Sequence, residues 1–274
     1  MSLNKWDVRF RRWAPLGLAF SALCISSLLI AVSLLVARGP MEGSLQTESP
    51  VTLRQPEALQ DTPESSELQP TPETAQLGPL TVITRAGWGA RPLNPNAPAE
   101  FAPFDPQTNP GGLLVYPTPL ADWYRSIVVH HTALPLSDGP VEIQDLHMDE
   151  RGYADIAYHF VIGLDGSLYA GRALEQRGAH VAGYNTGSIG IVLIGNFETI
   201  EPTTEQLAAL DALVAYLAQT YPLTHLAGHK DFNPGDTQCP GAALYPFLTD
   251  LAARHNLAYG TGGYRAPAWQ TQAP

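Results

Sequence analysis

Basic residues and cysteines are both scarce in this sequence. Its 274 residues include 15 Lys and Arg against 26 Asp and Glu, and only two cysteines. Between residues 81 and 258 there are 18 acidic and eight basic side chains, a net charge of −10. Proteins that bind nucleic acid carry basic surfaces that neutralise phosphates, so this charge argues against a nucleic acid partner.

Several catalytic motifs are also missing. The chain has no His-Glu-x-x-His helix, no Gly-x-Ser-x-Gly turn, no phosphate-binding loop of the Gly-x-x-x-x-Gly-Lys-Ser/Thr type and no Cys-x-x-Cys pair. No pair of carboxylates is singled out by its spacing. These absences argue against the usual metalloprotease, serine hydrolase, nucleotide-binding and dithiol classes.

The N-terminal region combines a basic start with a long apolar run. Residues 1–13 carry four basic side chains, and residues 14–37 contain no charge. Twenty-four apolar residues can span a bilayer as a helix, and positive charge before them favours a cytoplasmic N-terminus. We expect a cytoplasmic segment at 1–13, a transmembrane signal anchor at 14–37 and an extracytoplasmic remainder at the cell membrane. A cleaved signal peptide, which would give a secreted protein, is the alternative.

Composition divides the rest of the chain into three parts. Residues 38–80 are rich in Pro, Glu, Gln, Ser and Thr, which predicts a disordered linker. Residues 81–258 carry the apolar runs of a folded domain, and residues 259–274 are interpreted as a flexible tail. Within the domain, the Pro-rich stretch 93–122 predicts either a flap beside a groove or a packed surface loop.

Cys239 is the one cysteine outside the apolar run, since Cys24 lies inside it. A single thiol cannot form an internal disulfide, and an exported domain meets oxidising conditions, in which a free thiol is unusual. If Cys239 coordinates a metal ion as a thiolate, its presence in such a domain is explained.

A candidate set of metal ligands accompanies this cysteine. His229 lies ten residues before Cys239 on a Pro/Gly-rich loop, and His130 and His131 end an apolar run. Imidazole nitrogen and thiolate are ligands that zinc prefers, and three protein ligands with an open position are typical of a catalytic site. Neighbouring side chains in a strand face opposite ways, so one of the two adjacent histidines is expected to bind. The alternative is a core histidine and a buried structural cysteine.

Six short segments together carry a resemblance to a known family. They are ITRAGWGA at 83–90, ADIAYHFVIG at 154–163, GAH at 178–180, NTGSIGI at 185–191, GH at 228–229 and CPG at 239–241. In this order they resemble the zinc amidases of the peptidoglycan recognition protein and type 2 N-acetylmuramoyl-L-alanine amidase family, which phage amidase-type lysozymes share. The resemblance covers residues 82–257.

The resemblance implies a function and a role for each matched residue. It implies hydrolysis of the amide between the lactyl group of N-acetylmuramic acid and L-alanine in peptidoglycan, with Zn²⁺ as cofactor and peptidoglycan as partner. It selects the metal ligands His130, His229 and Cys239. The expected catalytic residues are Tyr158 and Thr237, and the expected substrate-binding residues are His180 and Asn185. The alternatives are a core aromatic residue for Tyr158 and loop-structural roles for His180 and Asn185.

The hydrophobic pattern predicts the fold class. Continuous apolar runs at 126–130 and 188–195 predict buried strands, and residues 158–163 and 167–170 predict a hairpin turned at Asp165-Gly166. Helices are predicted at 138–151, at 203–221 with a Thr203/Gln206 capping box, and at 241–255. A last strand is predicted at 225–228. This alternation predicts a single α/β domain with a central mixed β-sheet packed by helices.

Two other functions remain open. Some members of the resembled family have lost the cysteine and bind peptidoglycan without cutting it, so a non-catalytic receptor is one alternative, and the presence of Cys239 argues against it. An amidase acting on released anhydro-muropeptides is the other. Cytoplasmic members of that branch tend to use Asp as third ligand, and the export signal also opposes it.

Overall fold

Residues 71–265 are the part of the chain that the structure, a computed structural model, describes. The predicted cytoplasmic segment, the signal anchor at 14–37 and the first 33 residues of the linker lie outside the described residues. Within residues 71–265, no helix has the length and apolar character needed to cross a membrane.

Two fully buried parallel strands lie at the centre of an eight-stranded sheet. These are β3 (Ser126–His131) and β6 (Ser188–Leu193), which pair in register from Ser126 opposite Ser188 to His131 opposite Leu193. All twelve of their residues are buried. Burial on both faces explains why both sequences are continuous apolar runs.

The other strands extend this pair on both sides. They are β1 (Thr74–Leu77), β2 (Leu80–Ile83), β4 (Phe160–Ile162), β5 (Leu168–Ala170), β7 (His225–Gly228) and β8 (Ala258–Tyr259). The order in the sheet is β1-β2-β5-β4-β6-β3-β7-β8. The pairs β1–β2 and β4–β5 are antiparallel and the rest parallel. The predicted mixed sheet is confirmed, and so is the hairpin, whose strands are Phe160–Ile162 and Leu168–Ala170.

Helices cover the sheet. They are α1 (Pro140–Asp145), which continues as a π-helical turn (Leu146–Glu150), α2 (Thr204–Thr220), α3 (His229–Phe232) and α4 (Phe247–Arg254), with 3-10 turns at Leu120–Asp122 and Thr261–Gly263. The predicted capping box is confirmed, because Thr203 and Gln206 exchange side-chain-to-backbone hydrogen bonds at the start of α2. Leu210, Leu213 and Leu217 of α2 pack in the main core.

Alternate residues of β3 enter different parts of the core. Ile127 and Val129 pack in the main cluster with α2 and α4. Val128 packs on the other face, beside Val181, Ala227 and Phe232. By this two-residue period His130 lies on the Val128 face of the sheet and His131 on the face of α2.

Three predicted boundaries are corrected. The last helix begins at Phe247 rather than at 241, because Pro246 disfavours helical backbone in the residue before it and Gly241 has φ +99°. β1 lies inside the predicted linker, where a short hairpin with Gly78 at φ +59° pairs it to β2. The tail contributes Tyr259 to β8 and packs Tyr264 against Tyr184.

The stretch 93–122 is a packed loop whose only regular element is the 3-10 turn at its end. A buried ion pair fastens it. Arg172 donates to both carboxylate oxygens of Glu100 at 2.7 and 2.8 Å, and Ala154 N donates to Glu100 Oε2 at 2.9 Å. The Arg172 side chain is 0% exposed and that of Glu100 is 8% exposed. Removing one charge from such a pair leaves the other buried without compensation.

We therefore expect Glu100→Gln to lower the free energy of unfolding by roughly 3–5 kcal/mol. The matched control is Asp149→Asn, which neutralises the carboxylate paired with Arg91 at 2.9 Å, with the Asp149 side chain 60% exposed. An exposed pair of this kind contributes about 0–1 kcal/mol. Denaturant unfolding of both variants makes the comparison, and equal losses would contradict the assigned role of the Glu100–Arg172 pair.

Candidate metal centre and groove

Three zinc-type donors converge where β3 and β7 end. His130 is near the end of β3, and His229 follows the last residue of β7 as the first residue of α3. β3 and β7 are neighbouring parallel strands, so their carboxyl ends meet at one edge of the sheet. Cys239 returns to the same place after the loop that follows α3. One ligand atom from each of the three residues lies within 4.8 Å of the others.

The donor set matches the preferences of zinc. His130 Nδ1 lies 3.6 Å from Cys239 Sγ, and the rings of His130 and His229 have centroids 4.7 Å apart. His131 N donates a hydrogen bond to Cys239 Sγ at 3.3 Å, which favours the thiolate form. Two imidazoles and one thiolate leave a fourth position open, the arrangement of a catalytic rather than a structural site. The residues present therefore fit a zinc ion.

Burial keeps the free ligands uncharged. The pKa of His130 is held well below its ordinary value by burial, with the neighbouring His180 and His229 acting in the same direction. Burial likewise lowers the pKa of His229 and raises the pKa of the Cys239 thiol to about 12. Neutral imidazoles are ready to coordinate, whereas the thiol must lose its proton when a metal binds, so metal binding and proton release are coupled.

His131 points away from this site. Its Nδ1 accepts a hydrogen bond from Phe197 N at 3.3 Å, and its ring packs 6.2 Å from that of Phe197. The side chain of His131 is therefore not among the three that converge, and binding of metal by His130 stays a prediction.

His180 lies directly behind His130. Its Nδ1 is 3.0 Å from His130 Nε2, and its Nε2 is 3.5 Å from Ser188 Oγ. Ser188 donates its hydroxyl proton to Tyr184 O at 2.8 Å, so its oxygen can accept from His180 Nε2–H. His180 Nδ1 then accepts from His130 Nε2–H, and the lone pair of His130 Nδ1 faces Cys239. Such a partner fixes the tautomer of a metal-ligating histidine.

The two residues predicted to bind substrate have structural contacts here. His180 is 6% exposed, although its ring forms part of the cavity wall. Asn185 Oδ1 accepts from the backbone N–H groups of His180 and Val181, both at 2.8 Å, and holds the loop beside the cavity. These contacts agree with the loop-structural alternative. Direct contact of either residue with substrate stays a prediction.

Tyr158 stands beside the candidate ligands. Its ring centroid is 5.0 Å from that of His130 and 5.3 Å from that of His147. Burial raises the pKa of Tyr158 above its ordinary value, so the phenol remains a proton donor. The strand β4 begins at Phe160 rather than at 158 as predicted, yet His159 still faces the other way, and its Nδ1 accepts from Gly190 N at 2.9 Å.

Thr237 lies on the loop between α3 and Cys239. Its Oγ1 accepts a hydrogen bond from Cys239 N at 3.1 Å. Since a hydroxyl both donates and accepts, its proton remains available to a group in the cavity.

One cavity of about 590 Å³ joins these residues. Tyr158, His180, His229 and Thr237 line it together with Asn185. A second set of lining residues comes from the 93–122 loop, for which a place beside a groove was one of the two predictions, and from two arginines: Ala99, Glu100, Pro110, Gly111, Arg151 and Arg177. Their proximity arises from tertiary packing, which no local pattern records. The volume is typical of a small-ligand site.

Comparison with known proteins finds one matching family model and several proteins of similar sequence. A family model described as N-acetylmuramoyl-L-alanine amidase matches residues 121–242. Peptidoglycan-recognition protein SC2 of Drosophila melanogaster is 31% identical over 176 residues, which cover 61% of this chain and 83% of that protein. Peptidoglycan-recognition protein LB of the same organism is 38% identical over 130 residues, 43% of this chain and 55% of that protein.

Solved structures are similar as well. The crystal structure of Drosophila peptidoglycan recognition protein SD is 32% identical, covers 61% of this chain and 92% of that chain, and has a TM-score of 0.49. The N-acetylmuramoyl-L-alanine amidase LysC from Clostridium intestinale is 35% identical, covers 53% of this chain and 93% of that chain, and has a TM-score of 0.46.

The donor geometry predicts one zinc per chain. Cys239→Ala removes the thiolate, and we expect the purified variant to retain little or no zinc. The matched control is His131→Asn, because an amide oxygen can replace the imidazole nitrogen that accepts from Phe197 N. The zinc content of each purified protein, measured by elemental mass spectrometry, tests this prediction. Equal zinc in the wild type and Cys239→Ala would contradict the ligand set, as would loss of zinc in His131→Asn with the fold intact.

Proposed function

Because this chain belongs to the family of peptidoglycan-recognition proteins and N-acetylmuramoyl-L-alanine amidases, we propose that it is a zinc-dependent amidase of bacterial peptidoglycan. It hydrolyses the amide between the lactyl group of N-acetylmuramic acid and L-alanine of the stem peptide. With the signal anchor predicted at 14–37, the proposed site of this activity is outside the cytoplasm at the cell membrane, or in the medium if that segment is cleaved.

The observation that carries this proposal is a complete donor set beside a substrate-sized cavity, with His229 in the cavity wall. His130, His229 and Cys239 converge to within 4.8 Å, and Tyr158 and Thr237 line the same cavity as His229. A receptor that only binds peptidoglycan has no need of three convergent zinc ligands. The thiol of Cys239 therefore favours the hydrolase over the non-catalytic receptor and over the Asp-ligated amidases of released anhydro-muropeptides.

The chemistry follows from the groups around the open position. When bound, zinc acts as a Lewis acid that polarises the scissile carbonyl and activates water. Water adds to the carbonyl carbon, the carbon–nitrogen bond breaks, and the nitrogen leaves with a proton as the free amine of L-alanine. The lactyl group departs as a carboxylate.

The protein's part in this reaction is to stabilise the developing oxyanion and to position the ligands. Tyr158, kept protonated by burial, is suited to donate a hydrogen bond to that oxygen. Thr237 offers a second donor from the loop that carries Cys239. His180 acts one step further away, by holding the ring of His130 in the tautomer whose Nδ1 faces Cys239.

Zymography with purified cell wall tests the proposed function. The full chain, renatured in a gel containing peptidoglycan, is expected to clear a zone that a chelator abolishes and added zinc restores. New amino groups of L-alanine, with unchanged reducing sugar, identify the cleaved bond as the amide. Binding to the cell wall without clearing, in protein that contains zinc, would support the receptor instead.

Tyr158→Phe separates chemistry from metal binding. The change keeps the ring beside His130 and removes only the hydroxyl, so zinc content and thermal stability should stay close to those of the wild type. Turnover should fall by roughly 10²–10³ if the hydroxyl stabilises the oxyanion. Tyr169→Phe, on β5 and away from the cavity, is the matched control and should keep full activity.

The assigned role of Tyr158 has two ways to fail. Full activity in Tyr158→Phe would make it a packing residue. Loss of zinc together with activity would place it among the ligands or their supports.

A further inference from the structure

The 93–122 loop forms a wall of the same cavity that His229, one of the three candidate metal ligands, lines. Ala99, Glu100, Pro110 and Gly111 line that cavity together with His229 and Thr237. The match to the amidase family model starts at residue 121, so it begins where this loop ends. The wall is thus supplied by a segment outside the residues that this family model matches.

Several contacts hold this wall in one position. Besides the buried Glu100–Arg172 pair, Arg177 donates from Nη2 to Pro110 O at 3.1 Å and to Gly112 O at 2.8 Å. Tyr116 N donates to Glu175 O at 2.7 Å, and the Tyr116 hydroxyl accepts from Gly187 N at 2.9 Å. These bonds tie the loop to the segments before β6, which argues for a fixed wall rather than a moving flap.

The same ion pair joins the wall to the segment that carries Tyr158. Arg172 donates to Ile156 O at 2.9 Å and to Asp155 O at 3.1 Å, and its backbone N–H donates to Tyr158 O at 2.8 Å. Glu100 meets that segment as well, through Ala154 N. A ligand in the cavity therefore meets the loop and the candidate catalytic tyrosine as one rigid surface.

Charge indicates which part of the substrate this wall meets. Arg177 contacts the loop directly, and Arg151 adjoins it, because Ala99 N donates to Gly152 O at 2.9 Å. Both arginines line the cavity, and Arg151 takes part in none of the ion pairs found among residues 71–265. Asp236 also lines the cavity, but it lies next to Thr237 on the loop before Cys239. The peptide stem of peptidoglycan carries carboxylates, whereas its N-acetylated glycan is uncharged, so the guanidinium of Arg151 beside this wall favours the peptide.

We propose that the 93–122 loop is a fixed specificity wall that binds the stem peptide beyond its first residues and selects substrates by the length of that peptide. This inference rests on the proposed function, because it assigns a subsite for the same substrate.

Of two adjacent glycines in the wall, only Gly111 can accept a side chain without disturbing the support of the loop. A Cβ built at Gly111 meets no atom within 4 Å, and the backbone there is not left-handed, so a side chain at 111 has open space beside the cavity. At Gly112 a Cβ would lie 2.7 Å from Ala102 O and 2.9 Å from Pro103 O. Position 111 is therefore the place to add bulk.

The test compares Gly111→Trp with wild type on two substrates that share one sugar. The probes are N-acetylmuramoyl-L-alanyl-D-isoglutamine and N-acetylmuramoyl pentapeptide. We expect Gly111→Trp to lower kcat/KM for the pentapeptide roughly tenfold or more and to leave the dipeptide nearly unchanged, because the indole fills space that only the longer stem needs. Gln107→Trp, on an exposed part of the same loop, is the matched control and should change neither.

A third probe and a second variant keep the result decisive. The disaccharide N-acetylglucosaminyl-N-acetylmuramoyl dipeptide lengthens the glycan instead of the peptide. An equal loss on all three probes, a loss that follows glycan length, or no loss on the pentapeptide would overturn the proposal. If Gly111→Trp is not folded by its circular dichroism, Gly111→Leu takes its place with the same expected order of effects.

Failure of the proposed function gives a different result. If the zinc-loaded wild type cleaves none of the three probes, the amidase assignment fails. The affinities of wild type and Gly111→Trp for the same probes, measured by calorimetry, then test the proposed role of the loop independently of catalysis. Weaker binding of the pentapeptide alone by Gly111→Trp supports that role, and equal affinities overturn it.

Discussion

The candidate site depends on the parallel pairing of β3 with β7. That pairing sets Val129 opposite Gly228, so the next residue of each chain, His130 and His229, emerges at the same edge of the sheet. Because side chains alternate along a strand, a slip of one residue would turn His130 into the α2 side and present His131 instead. Burial of both faces of β3 fixes this register, since Ile127 and Val129 serve one core cluster and Val128 another.

Burial also sets the electrostatics of the site. The imidazoles of His130 and His229 and the thiol of Cys239 remain neutral in this region of low dielectric. Charging a buried imidazole or thiol removes its hydration, and the interactions with neighbouring groups do not offset that loss. The two ring nitrogens of His130 have different partners. Its Nε2 lies 3.0 Å from His180 Nδ1, whereas its Nδ1 faces the Cys239 sulfur at 3.6 Å. One nitrogen is thus held by a supporting residue while the other is directed at a second candidate ligand, as expected for a metal-ligating histidine.

Local patterns in the sequence predicted much of the fold. Continuous apolar runs predict β3 and β6 because those strands are buried on both sides, and the Thr203/Gln206 pair predicts the start of α2 because capping is a local interaction. The sequence predicts a start of the last helix at 241, six residues before its observed start at Phe247, because the pattern of apolar residues continues through the turns at Gly241 and Pro246. Local patterns did not decide between a substrate-binding role and a loop-structural role for His180 and Asn185. Their partners are set by the meeting of distant segments, and spacing in the chain carries no record of which nitrogen of a histidine faces which neighbour.

The difference between local patterns and contacts of distant segments also explains why the 93–122 loop was the hardest part of the site to predict. Its composition describes an irregular segment, and irregular segments carry no periodicity that would assign a side chain to a cavity. Its position is decided by one charge, because Arg172 is wholly buried and needs a carboxylate, and Glu100 supplies it from 72 residues earlier in the chain. A buried guanidinium without that partner would cost several kcal/mol, so the pair determines where the loop lies. Once Glu100 is anchored there, Arg177 bonds the carbonyls of Pro110 and Gly112 and sets the far part of the loop against the groove. The position of this wall thus follows from satisfying buried charge rather than from any propensity of the loop itself.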